Sequence, residues 1–106
     1  MPKYLFEARY TSEGARGLLS DGGSARRAAV EKAITGVGGR VEAFYFGFGD
    51  VDAFVIADLP DNVAASAMAL AVAQSGKTSV KTVVLLTPEE VDHATKKAVA
   101  YRPPGG

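Results

Sequence analysis

The chain has no cysteine, no tryptophan and one histidine, His93, among its 106 residues. The missing thiols exclude disulfides, thiolate catalysis and sulfur-ligated metal together, and one imidazole cannot build a histidine-rich metal centre. No metal and no bound cofactor are therefore expected. Neither sign of charge is in excess. Twelve Lys and Arg balance twelve Asp and Glu, and neither set forms a block. Nucleic acid and acidic membrane surfaces both need a concentrated basic face, so neither is expected as a partner. No apolar run approaches the ~20 residues that span a bilayer, and Met1-Pro2-Lys3 leads into a strand-like segment rather than a secretory leader. The expectation is a soluble, cytoplasmic protein.

What is present suits a single domain over residues 1–106, with an ordered core from about 3 to 101 and a flexible Arg102-Pro103-Pro104-Gly105-Gly106 tail. A chain of this length buries roughly 65% of the surface its unfolded form exposes. From Lys3 to Tyr10, Tyr4, Phe6, Ala8 and Tyr10 alternate with Lys3, Leu5, Glu7 and Arg9, the period of a strand. Thr11 or Ser12 caps the helix that follows. Ser20-Asp21-Gly22-Gly23 interrupts that helix, which resumes near Ser24 with Val30, Ala33, Ile34 and Val37 on one stripe and ends at Gly36, Gly38 and Gly39. A second strand from Val41 to Phe48 places Phe44, Phe46 and Phe48 on one face and Ala43 and Tyr45 on the other. Gly49-Asp50 reads as a tight turn into a third strand, Asp52 to Leu59. Asp61 caps an alanine-rich helix to about Ser75, and Thr78 to Leu86 is the fourth strand. Thr87-Pro88-Glu89-Glu90 is a capping box with proline at the first helical position, and Val91, Ala94, Ala98 and Tyr101 make the stripe of the last helix.

The order β-α-β-β-α-β plus a C-terminal helix predicts an α+β, ferredoxin-like fold. Its four-stranded antiparallel sheet carries two main helices on one face. A sheet covered on one side alternates apolar and polar residues. Here both sides are apolar over most of their length: Phe54 and Ile56 oppose Ala53, Val55 and Ala57, and Val83 and Leu85 oppose Val80 and Val84. The uncovered side calls for the C-terminal helix or the same face of a second copy, stacked about 10 Å away. Burying five large side chains there is worth on the order of 10 kcal/mol before association costs. A homodimer or higher homo-oligomer is the expectation.

At this level of detail the chain resembles a known family. Tyr10-Thr11-Ser12-Glu13-Gly14, Arg26 or Arg27, Gly38-Gly39, the run Phe44 to Asp52 and Leu59-Pro60-Asp61 are similar in content and order to the GYD domain pattern. Gly49 and Asp52 match the family's Gly and Asp, Val51 replaces its tyrosine, and Asp58 stands where glutamate is usual. The resemblance covers residues 3 to about 91. It implies a ferredoxin-like fold pairing into a dimeric α+β barrel, a superfamily of cofactor-free monooxygenases, isomerases, lactonases and ligand-sensing modules. It supplies no agreed activity.

Several residues stand out as candidates for chemistry. Asp50 and Asp52 offer carboxylates at a strand rim, where Asp52 could serve as a base or as a turn ligand for backbone N–H groups. Glu7 and Arg9 share a face of a strand expected to be central, where charges need a partner or a polar cavity. Tyr10 or Tyr45 would add a hydroxyl to such a cavity. His93, with Glu89 and Lys97 one turn to either side, is the one imidazole available as a base. Glu7, Arg9, Tyr10, Tyr45 and Asp52 are thus the candidate ligand-binding set, and Asp52 and His93 the candidate catalytic groups. Gly76-Lys77-Thr78 imitates the end of a phosphate-binding loop but leads from helix to strand, and Gly47-Phe48-Gly49 is followed by no helix. The expected role is a homo-oligomeric module for small-molecule binding or assembly. The alternative is a cofactor-free monooxygenase- or isomerase-type enzyme for an apolar or aromatic metabolite, with Arg9 stabilising developing negative charge.

Overall fold

The computed structural model describes all 106 residues, and the sequence periodicities become eight elements. They are β1 (Lys3–Tyr10), α1 (Ser12–Asp21), α2 (Gly23–Gly36), β2 (Arg40–Phe46), β3 (Ala53–Asp58), α3 (Asn62–Gln74), β4 (Thr78–Leu85) and α4 (Pro88–Thr95). The strands form one antiparallel sheet in the order β2-β3-β1-β4, which places β1 at the centre and gives an α+β, ferredoxin-like fold.

Local chemistry sets the element ends. The Thr11 hydroxyl accepts from Gly14 N–H to cap α1, the Asp61 carboxylate accepts from Ala64 N–H (2.9 Å) to cap α3, and Thr87 and Glu90 exchange both bonds of a capping box on α4. Gly22 alone divides the first helical stretch. Its φ of +85° lets the chain turn while its N–H still bonds Leu18 C=O at 2.8 Å. α2 therefore starts at Gly23.

Tyr4, Phe6 and Ala8 of β1 and Ala53, Val55 and Ala57 of β3 point to one side of the sheet. There they meet Ile34 of α2, Ala65 and Met68 of α3, and Leu59. Tyr4 is fully buried, and its hydroxyl is satisfied by Asn62 Oδ1 at 2.5 Å.

The chain departs from the sequence reading in three places. β2 ends at Phe46, and a six-residue loop, 47–52, replaces the tight turn at Gly49-Asp50. Asp52 N–H is drawn to Ala8 C=O and its carboxylate to Tyr10 N–H, both at 2.9 Å, which holds the hairpin end open against β1. Phe48 consequently sits in that loop, fully exposed, instead of extending a strand face. A bulge at Glu42 shifts the β2–β3 register between Val41 and Ala43, and brings Glu42 Oε1 to 2.9 Å from Lys3 Nζ. Finally, α4 stops at Thr95, leaving Ala98 and Tyr101 outside it. Every residue of α4 is exposed. A helix this short depends on packing for its length, and α4 has little to pack against.

The opposite side of the sheet carries Leu5, Ala43, Ile56, Val83 and Leu85 as an apolar centre, with Phe54 and Tyr45 beside it. Charged groups occupy its two ends, so it is less uniformly apolar than the strands suggest. Lys3, Arg40, Glu42 and Asp58 lie at one end, and Glu7, Arg9 and Lys81 at the other. No helix covers this side. α4 projects from the body, and the chain measures 55 × 33 × 23 Å. Its 16.7 Å radius of gyration exceeds the roughly 13 Å of a compact domain of this length.

Candidate functional site

The covered side of the sheet contains a predominantly apolar concavity. α2 and α3 stand on either side of a narrow cleft of about 50 Å³. Its floor is Phe6, Ala8 and Val80 and its walls are Val30, Met68 and Val72. All of these are apolar because they continue the stripes by which the helices bind the sheet. Three polar side chains, Tyr10, Arg26 and Thr78, interrupt the lining at the mouth. There the cleft widens into a vestibule reached by Asp21, Lys77 and Ser75.

Arg26 lies one turn before Val30 and two turns before Ile34, so its stem belongs to the apolar stripe of α2 and its guanidinium emerges at the mouth. It is half-buried, whereas its neighbour Arg27 is exposed and pairs with Glu31 at 3.1 Å. The ion pairs of the chain leave both Arg26 and Lys77 without a carboxylate. The Arg26 guanidinium lies beside the Tyr10 hydroxyl. Burial pushes the Tyr10 phenol above its ordinary value, Arg26 pulls against that shift, and the nearby Asp52 carboxylate adds to it.

The sequence candidates divide between the two sides of the sheet. Tyr10 lines the cleft. Asp52 sits at the rim beside Tyr10, where its carboxylate receives the Tyr10 N–H and its side chain walls a shallow depression with Phe46 and Phe48. Glu7, Arg9 and Tyr45 lie on the uncovered side, with Glu7 opposite Lys81 and Phe54, and Tyr45 opposite Phe54. The Arg9 guanidinium donates to the carbonyl of Asp50. His93 projects from α4 and lines none of the main clefts. The sequence reading missed Val30, Met68 and Lys77 as lining, and named Arg26 only as part of a motif. The available signal was the i, i+4, i+8 series Arg26, Val30, Ile34, which puts a cation on a buried stripe.

The motif residues are the joints of this architecture. Thr11 N–H bonds Lys77 C=O at 2.9 Å, and a Cβ at Gly14 would lie 2.0 Å from that same oxygen, so only glycine lets α1 approach the start of β4. Gly38 has φ +86° and packs against Pro60, while Gly39 donates to Ile34 C=O at 2.9 Å and leaves no room for a Cβ. Gly49, by contrast, has no left-handed backbone, and a Cβ there would meet nothing within 4 Å. It therefore does not supply the permissive turn that its sequence context suggests.

Asp58 organises the far end of the uncovered side. Its carboxylate accepts from Lys3 Nζ at 2.8 Å and Arg40 Nη2 at 3.0 Å. The Lys3 bond first, and Arg40 after it, hold its carboxyl below the usual value. No three His, Asp or Glu side chains converge to hold a metal ion, and no helix is long and apolar enough to cross a membrane.

Fold and cleft together define a ferredoxin-like α+β domain with one covered and one open sheet face. The family model that matches it is the GYD domain, over residues 4–95, and the chain belongs to that family. No curated protein and no solved structure matches the chain.

Proposed function

We propose that the protein is a homo-oligomeric small-molecule binding module. Two copies meet through their open sheet faces, and each keeps its own cleft between helices and sheet. The observation that carries the assembly is the uncovered face itself, with Leu5, Ala43, Ile56, Val83 and Leu85 at its centre and α4 burying none of its own residues. A contiguous apolar face of this kind is uncommon on a monomer. Its flanking charges also suit self-pairing, since Glu7 and Lys81 are cross-strand neighbours that form no ion pair within the chain. In a two-fold arrangement each can meet its opposite on the partner. α4 and the segment after it, with Val91, Val99 and Tyr101 exposed, then lie against the second copy.

Binding is favoured over turnover because the two candidate bases are not assembled. Asp52 is engaged by the Tyr10 backbone, and His93 stands on a different element outside the cleft. The assembly is tested by Ile56→Glu, which places a charge at the centre of the face. The expected result is a halved molar mass in light scattering with the secondary structure retained. An unchanged mass would reject the interface.

A further inference from the structure

We infer that the cleft between α2 and α3 is a site for a slender amphipathic monoanion. Its apolar body enters the slot over Phe6, Ala8 and Val80, and its carboxylate or similar head is held at the mouth by Arg26, with Tyr10 as a second donor. This rests on reading the cleft as a ligand site and adds the chemistry of the ligand.

The lining of the cleft is apolar except at one end. A uniformly apolar slot would favour neutral hydrophobic molecules without orienting them. This one ends in a guanidinium whose stem is packed into the α2 stripe and whose head has no carboxylate of its own. A half-buried arginine normally finds an acid, because partial desolvation of its charge is costly unless an anion or several acceptors replace the water. Asp21 faces the same vestibule but forms no ion pair with Arg26 or Lys77. A second carboxylate, Asp52 at the rim, is taken up by the Tyr10 N–H at 2.9 Å, so neither it nor Asp21 pairs with Arg26 and the guanidinium is left for an incoming anion.

The partners are matched in kind as well as in sign. The guanidinium presents a planar set of N–H donors suited to carboxylate. The Tyr10 hydroxyl beside it, neutral like any ordinary phenol at physiological pH, can donate one further bond to the same head. The width of the slot sets the body. Val30, Met68 and Val72 stand over the sheet on the α2 and α3 sides of the slot, and we take a slender body, an unbranched chain or a single ring, as its occupant.

The test compares acid and amide of the same shape, 3-phenylpropionate with 3-phenylpropanamide and hexanoate with hexanamide, by calorimetry on the full chain. One charge-assisted hydrogen-bonded contact corresponds to a preference of about tenfold or more for the acid. Arg26→Gln should reduce that preference to about twofold, while Arg26→Lys retains part of it as a point charge without the fork. Val72→Phe, which fills the slot, should weaken acid and amide alike. Equal binding of acid and amide to the unaltered protein would overturn the anion assignment while leaving the cleft as a ligand site. Acid binding that survives Val72→Phe undiminished would place the anion on the surface and overturn the inference. Failure of all four probes to bind at millimolar concentration would overturn both the inference and the reading of the cleft. The acid–amide comparison on the unaltered chain needs no variant, so the outcome does not depend on any substitution folding.

Discussion

A methyl group added at Gly39 would lie 2.5 Å from both the Asp58 carbonyl oxygen and Leu59 Cδ2, and 2.9 Å from Ile34 Cγ2. One of those atoms is backbone and the others belong to fully buried side chains, so nothing can yield cheaply. Gly39→Ala is expected to cost about 3 kcal/mol in chemical denaturation, at the upper end for overpacking. Gly49→Ala meets open space and should change stability by less than about 0.5 kcal/mol. The two glycines both belong to the family pattern, and a similar loss at each would contradict the structural roles assigned to them. Asp58 allows a prediction in pH. Its carboxyl is held below the ordinary 3.8, so its stabilising contribution is present above that value and disappears as pH falls through the lower folded value. The melting temperature should therefore drop below about pH 4. Asp58→Asn should be less stable at neutral pH and should lose less on acidification, as read by calorimetry at a series of pH values.

At the scale of elements, much was legible because the signals were local. Thr87-Pro88-Glu89-Glu90 and Asp61 become caps as expected, and β1 falls at the centre of the sheet. What escaped the sequence depended on contacts across long separations. The 47–52 loop is opened by bonds from Asp52 to Ala8 and Tyr10, more than forty positions away, where a turn signal weighs only immediate neighbours. The bulge at Glu42 leaves no mark in composition, and the cleft arises from how far apart α2 and α3 stand on the sheet. Periodicity showed that α3 is apolar around its circumference but not which residues remain outside. Ala65 and Met68 are buried, whereas Val63, Ala67 and Leu70 face solvent. α4 is the element whose context the chain does not complete. Truncation after Leu86 should leave the melting temperature of the isolated fold almost unchanged, because no residue of α4 is buried. It should nevertheless weaken self-association, seen as a higher dissociation constant in sedimentation.

At the scale of the molecule, the sheet has two sides of different character. One is closed by α2 and α3 over the core, with the Arg26–Tyr10 mouth at its margin. The other presents an apolar centre between charged ends, and the chain has no element of its own to cover it. Both features follow from strands that are apolar on alternate residues in both phases, as in Ala53 to Ala57. The central claim is that a second copy supplies the missing layer. Sedimentation equilibrium of the unaltered chain at micromolar concentration tests it most directly. The account predicts at least twice the 11.0 kDa of one chain. A single species of one chain's mass, persisting as the concentration is raised, would contradict it.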